Sequence, residues 1–310
     1  MKKIDIITAA FNESQVLGLF LCRLNDKLGK IKNIDFRLIL VNDGSNDNTL
    51  GKFKKYQPEN FTKKTISLSR NFGKEAAITA GIDHSDADAA IIIDTDLQDP
   101  LEVIPMLIEQ WNKGYKNILA RRVSRKDDSF FKRKSAECFY NLINKMSETP
   151  IPKNTGDFRL IDKIVIDDIK KLKEKNRFMK GILSWSGYST TFVDYERTKR
   201  AAGETKWNFI KLWKLALDGI FSFSSVPLKI WSYLGIAMAI PSGIFILFII
   251  GNKLVGGHAA DGYTSIMATI LFLGSVQLIG IGILGEYLSR IYNEVKNRPI
   301  YLIDQENSDL

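Results

Sequence analysis

Two carboxylates one residue apart, Asp94 and Asp96, follow directly on the uninterrupted apolar run at residues 89–93. Hard oxygen donors this close together suit Mg²⁺ or Mn²⁺ bridging a diphosphate better than a softer metal, so a nucleoside diphosphate is the natural partner. An isolated Asp-x-Asp is as readily a solvated turn. Its place after an apolar strand gives it weight, because ligands of open α/β sheets bind outside the carboxyl ends of the strands. Asp43 stands at the equivalent place, after the apolar residues 38–41. The rest of Asn42-Asp43-Gly44-Ser45-Asn46-Asp47-Asn48-Thr49 consists of turn formers with a helix cap at Asp47 or Asn48, which leaves Asp43 as a candidate to bind a base or ribose. Ala9-Ala10-Phe11-Asn12-Glu13 occupies the position of a dinucleotide-binding Gly-x-Gly-x-x-Gly, and no Gly-x-x-x-x-Gly-Lys-Ser/Thr occurs anywhere. Dinucleotide and P-loop sites are therefore not expected. His84 and His258 have no second His or Cys at metal-ligand spacing and read as surface residues.

These acids need a sheet to hold them. Short β-branched runs at residues 4–8, 36–41, 65–68, 89–93 and 117–120 alternate with helical patterns at 13–28, 49–56, 73–83 and 101–113. Such a βαβ series predicts an α/β domain with a mostly parallel central sheet. The chain has 310 residues, 45% hydrophobic and 25% charged, with 22 Gly and 8 Pro, which excludes a disordered, collagenous or low-complexity protein. The net charge of +9 admits nucleic acid, anionic lipid or a phosphorylated substrate as partner. Cys22 and Cys138 lie far apart and suggest neither a disulfide framework nor a metal site. The short N-terminal apolar run, broken by Asp5, reads as a strand and not as a signal peptide, which would leave the first domain in the cytoplasm.

The last third differs in character. Residues 230–250 carry no charge and span about 31 Å as a helix, close to the hydrocarbon thickness, and residues 265–285 are equally uncharged. Lys229 precedes the first run, and Arg290, Lys296 and Arg298 follow the second, so the positive-inside rule places both termini in the cytoplasm. Residues 207–223 have apolar positions at helical spacing with Lys211 and Lys214 among them. They read as an interfacial helix or as an ordinary amphipathic core helix.

Four motifs together carry a resemblance: residues 42–49, Asp94-Thr95-Asp96-Leu97-Gln98-Asp99-Pro100, Gly156-Asp157-Phe158-Arg159-Leu160, and Arg200-Ala201-Ala202-Gly203-Glu204-Thr205-Lys206-Trp207. The chain resembles the polyprenyl-phosphate glycosyltransferases of glycosyltransferase family 2, nearest to the bactoprenol glucosyltransferases of O-antigen and lipopolysaccharide modification. It is similar to dolichol-phosphate mannose synthase with two transmembrane helices added. The resemblance covers essentially the whole chain, residues 292–299 included. Ala9 and Phe11 depart from the family's usual Pro-x-Tyr-Asn-Glu.

The resemblance implies a GT-A catalytic domain over residues 1–205, a juxtamembrane amphipathic helix over 206–228, two transmembrane helices within 229–290 (about 230–250 and 265–287) and a cytoplasmic tail over 291–310. It implies that Asp43 contacts the nucleotide, that Phe11, Glu13, Lys74 and Thr95 help hold the nucleotide sugar, and that Asp94 sits near the ribose or donor sugar. Asp96 with Gln98 would hold Mg²⁺ or Mn²⁺. Asp157 would be the acid at the reacting centre, the alternative being a helix or turn cap after Gly156. Residues 121–134 carry seven basic residues and two acids, and 197–214 six and one. Most of these would meet anionic headgroups, while Arg122, Arg125, Lys132, Arg133, Arg200 and Lys206 would bind the acceptor phosphate. The implied reaction is inverting transfer of glucose from UDP-glucose to undecaprenyl phosphate at the cytoplasmic face of the inner membrane. Donors such as GDP-mannose or UDP-N-acetylglucosamine, and a non-catalytic scaffold that binds nucleotide sugar, stand as alternatives. A homotetramer, a flippase and a second glycosyltransferase are the implied protein partners. Nucleic acid is not expected, because the basic runs lack interleaved aromatics.

Overall fold

The computed structural model describes residues 1–123, 152, 155–175, 177–196 and 262–309, together with helical residues scattered between 228 and 245. The expected interfacial helix at 207–223, about half of the first apolar run, and Arg125, Lys132, Arg133, Arg200 and Lys206 lie outside the described residues.

The first half of the chain follows the expected alternation: β1 (Lys2–Ala10), α1 (Ser14–Leu28), β2 (Ile34–Asn42), α2 (Thr49–Lys55), β3 (Thr62–Ser67), α3 (Lys74–Asp83), β4 (Ala89–Ile92), α4 (Val103–Asn112) and β5 (Asn117–Arg122). The second half adds β6 (Thr155–Asp162), α5 (Lys163–Lys171), α6 (Met179–Trp185), β7 (Thr190–Tyr195) and the long α7 (Tyr263–Val295). The strands form one sheet in the order β3-β2-β1-β4-β6-β5-β7. Pairing is parallel between β3 and β2, β2 and β1, β1 and β4, and β5 and β7. Only β6 runs antiparallel to both its neighbours. A strand entering from the opposite end begins where its neighbours finish, and this reversal brings residues 155–159 to the carboxyl ends of β4 and β5.

Both faces of the sheet are covered at its centre, so its central strands carry continuous apolar runs, as in β4 and the later part of β2. Side chains alternate across the pleat. Ile4, Ile6, Leu38, Leu40, Ile91 and Leu160 pack on one face with α1, α2 and α4. Ile7, Ile39, Val41, Ile92 and Ile161 pack on the other with α3, α5 and α6. In α1 the buried residues Leu17, Phe20, Leu21, Leu24 and Leu28 recur at three- and four-residue spacing, the stripe of an amphipathic helix laid on a sheet. Asp162 ends β6 and caps α5 by accepting the Ile164 N–H at 3.1 Å.

Two parts stand apart from this layering. α7 is 33 residues long, and its segment Phe272–Val295 is long and apolar enough to cross a membrane yet only 6% buried. A core helix of that composition would be covered. Trp231, in the partly described helical stretch before α7, lies against Gly280, where a Cβ would collide with its indole ring. Beyond α7 the chain returns to the sheet. Ile303 forms an antiparallel bridge with Leu68, just past β3, and Tyr301 and Ile303 pack against the core face that holds α3. Tyr301 also donates its hydroxyl to Asp83 at the end of α3, at 2.9 Å.

Candidate active site

The loops after β1, β2 and β4 and the start of α3 converge at the carboxyl end of the parallel strands. Asn12 takes a left-handed conformation (φ 55°) that folds the β1 loop onto the β2 loop. Its N–H donates to Ser45 Oγ at 3.0 Å, and its side-chain oxygen accepts the Asn46 N–H at 2.9 Å. Gly44 (φ 65°) lets the backbone of Arg70 and Asn71 approach so closely that a Cβ there would overlap it. Leu97 (φ 56°) turns the chain sharply between Asp96 and Gln98 and buries its own side chain. Left-handed non-glycine residues are costly and collect where the surrounding structure enforces them, as at functional sites.

Asp43 is 3% exposed. Its carboxylate accepts the N–H groups of Phe72 at 2.7 Å and Gly73 at 3.0 Å, fixing the turn that leads into α3. Burial pushes this acid up, and the two backbone donors and Arg70 pull against that rise. The nucleotide contact expected of Asp43 therefore joins a visible role in ordering residues 70–73. Phe11, Gly44, Ser69 and Asn71 line a cleft of about 420 Å³ beside it.

The antiparallel register of β4 with β6 pairs Ile92 with Arg159. Two residues further along each strand, Asp94 comes level with Asp157, which lies within β6 and not in a helix or turn cap. Lys74, the first residue of α3, joins the two acids: its Nζ is 2.6 Å from Asp94 Oδ1 and 2.5 Å from Asp157 Oδ2. Lys180 of α6 approaches Asp157 Oδ1 at 3.7 Å. Burial would raise the Asp157 carboxyl, but the two lysines outweigh it and hold the group well below the usual carboxylate range. Lys74 is shifted upward, its desolvation overcome by Asp94 and Asp157. The cluster remains reachable, with the side chains of Lys74, Asp94 and Asp157 exposed by 41%, 34% and 20%.

Beside it, Asp96 Oδ1 accepts the Gln98 N–H at 3.1 Å, and Thr95 is buried. Among the described residues no three His, Cys, Asp or Glu side chains gather as a protein-only metal cage. Hard cations such as Mg²⁺ keep waters and phosphate oxygens and need only one or two carboxylates, so Asp96 at an open strand end still fits one. Arg122, at the end of β5, lies 3.7 Å from Asp99 Oδ1 and donates Nε–H to Tyr195 Oη at 3.2 Å. Its Nη2 also stands 3.3 Å from where a Gly156 Cβ would be, adjoining Asp157. Glu13 immediately precedes α1, its N–H donating to Thr49 Oγ1 at 2.9 Å.

Sequence reasoning did not single out Lys180, Glu75 or Arg70. Glu75 accepts the Met179 N–H at 3.1 Å, and burial, then the nearby Asp157, pushes its pKa up to about 7. Its position beside Lys74 at a helix start was the one available signal. Lys180 lies more than a hundred residues from Lys74 in a helix without a motif.

Comparison with known proteins fits this site. Residues 5–170 match the family model described as glycosyl transferase family 2. An SfII prophage-derived bactoprenol glucosyl transferase of Shigella flexneri is 47% identical over 98% of both chains. An uncharacterised glycosyltransferase of Synechocystis sp. is 47% identical over 97% of this chain and 94% of its own. One of Bacillus subtilis is 40% identical over 97% of this chain and 93% of its own. With acids at the strand ends of a mostly parallel sheet in the GT-A-like manner, and with relatives matched along nearly their whole length, the chain belongs to glycosyl transferase family 2 and is a glycosyltransferase.

Proposed function

We propose that the protein transfers glucose from UDP-glucose to undecaprenyl phosphate at the cytoplasmic face of the membrane. The observation that carries this reading is the joining, in one chain, of a polar cleft beside the strand-end acids to a long helix whose apolar side chains are largely exposed. An enzyme acting on a soluble acceptor has no need of such a helix, whereas a lipid acceptor is confined to the bilayer that the helix would enter. The names of the bactoprenol relatives support the same acceptor and sugar. The contact of Trp231 with Gly280 supports a pair of membrane helices and not a single one.

In this reading the nucleoside lies in the cleft beside Phe11 and Gly44, and the donor sugar lies toward Asp94 and Asp157. Lys74 keeps Asp157 ionised and, bridging it to Asp94, orients both carboxylates toward the sugar hydroxyls. An oxygen of the lipid phosphate attacks the anomeric carbon from the side opposite the leaving group. The C1–O bond to the diphosphate breaks as the new C1–O–P link forms, so the configuration inverts and UDP departs. A phosphate monoester with a second pKa of about 6 is largely ionised at neutral pH and needs no strong base, so Asp157 positions rather than deprotonates. Arg122, next to Gly156, faces the side from which the lipid phosphate would come. Mg²⁺ or Mn²⁺ held by Asp96 and Gln98 would supply positive charge to the departing diphosphate.

The test is product formation by the full-length protein in nanodiscs containing undecaprenyl phosphate, with UDP-glucose, GDP-mannose or UDP-N-acetylglucosamine in separate reactions. The expected result is a glucolipid from UDP-glucose that is abolished by EDTA. A product from another donor alone overturns the sugar assignment, and a product that survives EDTA overturns the metal.

A further inference from the structure

We propose that the segment after the membrane helix is a working wall of the nucleotide site, with Asp304 and Asn307 contacting the nucleoside of the bound nucleoside diphosphate. This rests on the nucleotide-sugar reading above and names residues that the family motifs do not include.

The tail docks by its backbone. Ser69 N–H donates to Leu302 O at 2.9 Å, Asp304 N–H to Ser67 O at 2.8 Å and Asp309 N–H to Thr65 O at 2.8 Å. In return Thr65 N–H donates to Asp309 Oδ2 at 2.9 Å and Ser67 N–H to Ser308 Oγ at 2.8 Å. The outward polar groups of β3 are thus satisfied from residue 65 onward. That pairing alone would serve to cover the strand, yet two tail side chains do something else. Asp304 and Asn307 line the same cleft of about 420 Å³ as Phe11 and Gly44. The volume falls in the range of about 300–1,000 Å³ typical of small-molecule sites. Asn307 is held in place from both ends: Nδ2 donates to Asp304 Oδ2 at 2.8 Å, and Oδ1 accepts from Lys54 Nζ at 3.2 Å. A carboxamide offers a donor and an acceptor side by side, which matches the paired acceptor and donor on a base edge. Lys54 belongs to α2 and the tail to the far end of the chain, so this support of Asn307 exists only while the tail is docked. By linkage, a nucleotide that binds the docked form also strengthens the docking.

The experiment uses full-length protein in nanodiscs, with UDP and GDP as calorimetric probes. Asn307→Ala and Asp304→Ala are each expected to raise the UDP dissociation constant about tenfold and to change the UDP-to-GDP preference. In steady state the same variants should raise the donor KM by a similar factor while kcat falls less than twofold. Hydrogen exchange of the wild-type protein gives a readout independent of any variant's folding: UDP should slow exchange of the amides at 302–309. Unchanged UDP affinity in folded variants, with no protection of 302–309, overturns this inference alone. A wild-type protein that binds neither UDP nor GDP overturns the nucleotide-sugar reading and this inference with it.

Discussion

Lys74 lies between two acids that would otherwise repel across the sheet. In Lys74→Met the burial of Asp157 would no longer be offset by its nearest cation, and two carboxylates would face each other without a bridge. Turnover should fall by about 10²–10³-fold, the usual loss when one charged group is removed from a reacting centre. The remaining activity should rise only at higher pH than in the wild type, as Asp157 becomes harder to ionise, and a pH–rate profile checks this. Glu75 titrates in the opposite sense. Its pKa of about 7 in the folded protein, against the usual 4.5, means that the native state holds more protons than the unfolded chain between those values. Its contribution to stability is therefore full below pH 4.5, declines as pH rises to about 7, and is absent above. Glu75→Gln should flatten that decline and melt higher than the wild type at pH 8, as differential scanning fluorimetry from pH 5 to 9 would show. Equal melting temperatures at pH 8 would count against the assignment.

Loops and strands set where those groups stand, and Gly44 is where the tolerance is smallest. Its left-handed backbone and its close packing against residues 70–71 leave no room for a methyl group. Gly44→Ala should cost about 1–3 kcal/mol of stability and weaken UDP binding, because the 70–73 turn that Asp43 holds must move. Calorimetry and thermal melts would read both effects. The first five strands were legible in the sequence from their short β-branched runs, clearest in β2 and β4, where burial on both faces demands apolar residues and Asp43 and Asp94 mark the ends of the runs. β6 was not. Its segment Thr-Gly-Asp-Phe-Arg-Leu-Ile-Asp carries charges at its start, among them Arg159, which is only 2% exposed and donates to Gly156 O at 3.1 Å. Without β6 nothing in the sequence says that Asp157 faces Asp94, although its motif had marked it as important. The tail was equally hidden, since its contacts with β3, through backbone groups and the side chains of Ser308 and Asp309, follow no periodic pattern.

Over the whole molecule, the catalytic sheet and the long helix make separate demands. At about 1.5 Å per residue, the 33 residues of α7 extend about 50 Å, against a hydrocarbon layer of about 30 Å, so part of the helix projects beyond the bilayer it is proposed to cross. Leu278 and Ile281 are 71% and 64% exposed in the middle of its apolar stretch. An arginine at each should cost about 3 kcal/mol on insertion, and Leu278→Arg combined with Ile281→Arg should lower the share of the protein retained in membranes at alkaline pH. Retention equal to wild type would count against a spanning α7. The docking of the tail on β3 also bears on how the enzyme can be handled. β3 is the last strand on its side of the sheet, and an unpaired strand edge recruits other edges. A piece cut at residue 205 loses both α7 and the tail that shields this edge. It should self-associate into aggregates by light scattering and return to monomer when a synthetic peptide of residues 299–309 is added, whereas a monodisperse piece without the peptide would show that the shield is dispensable.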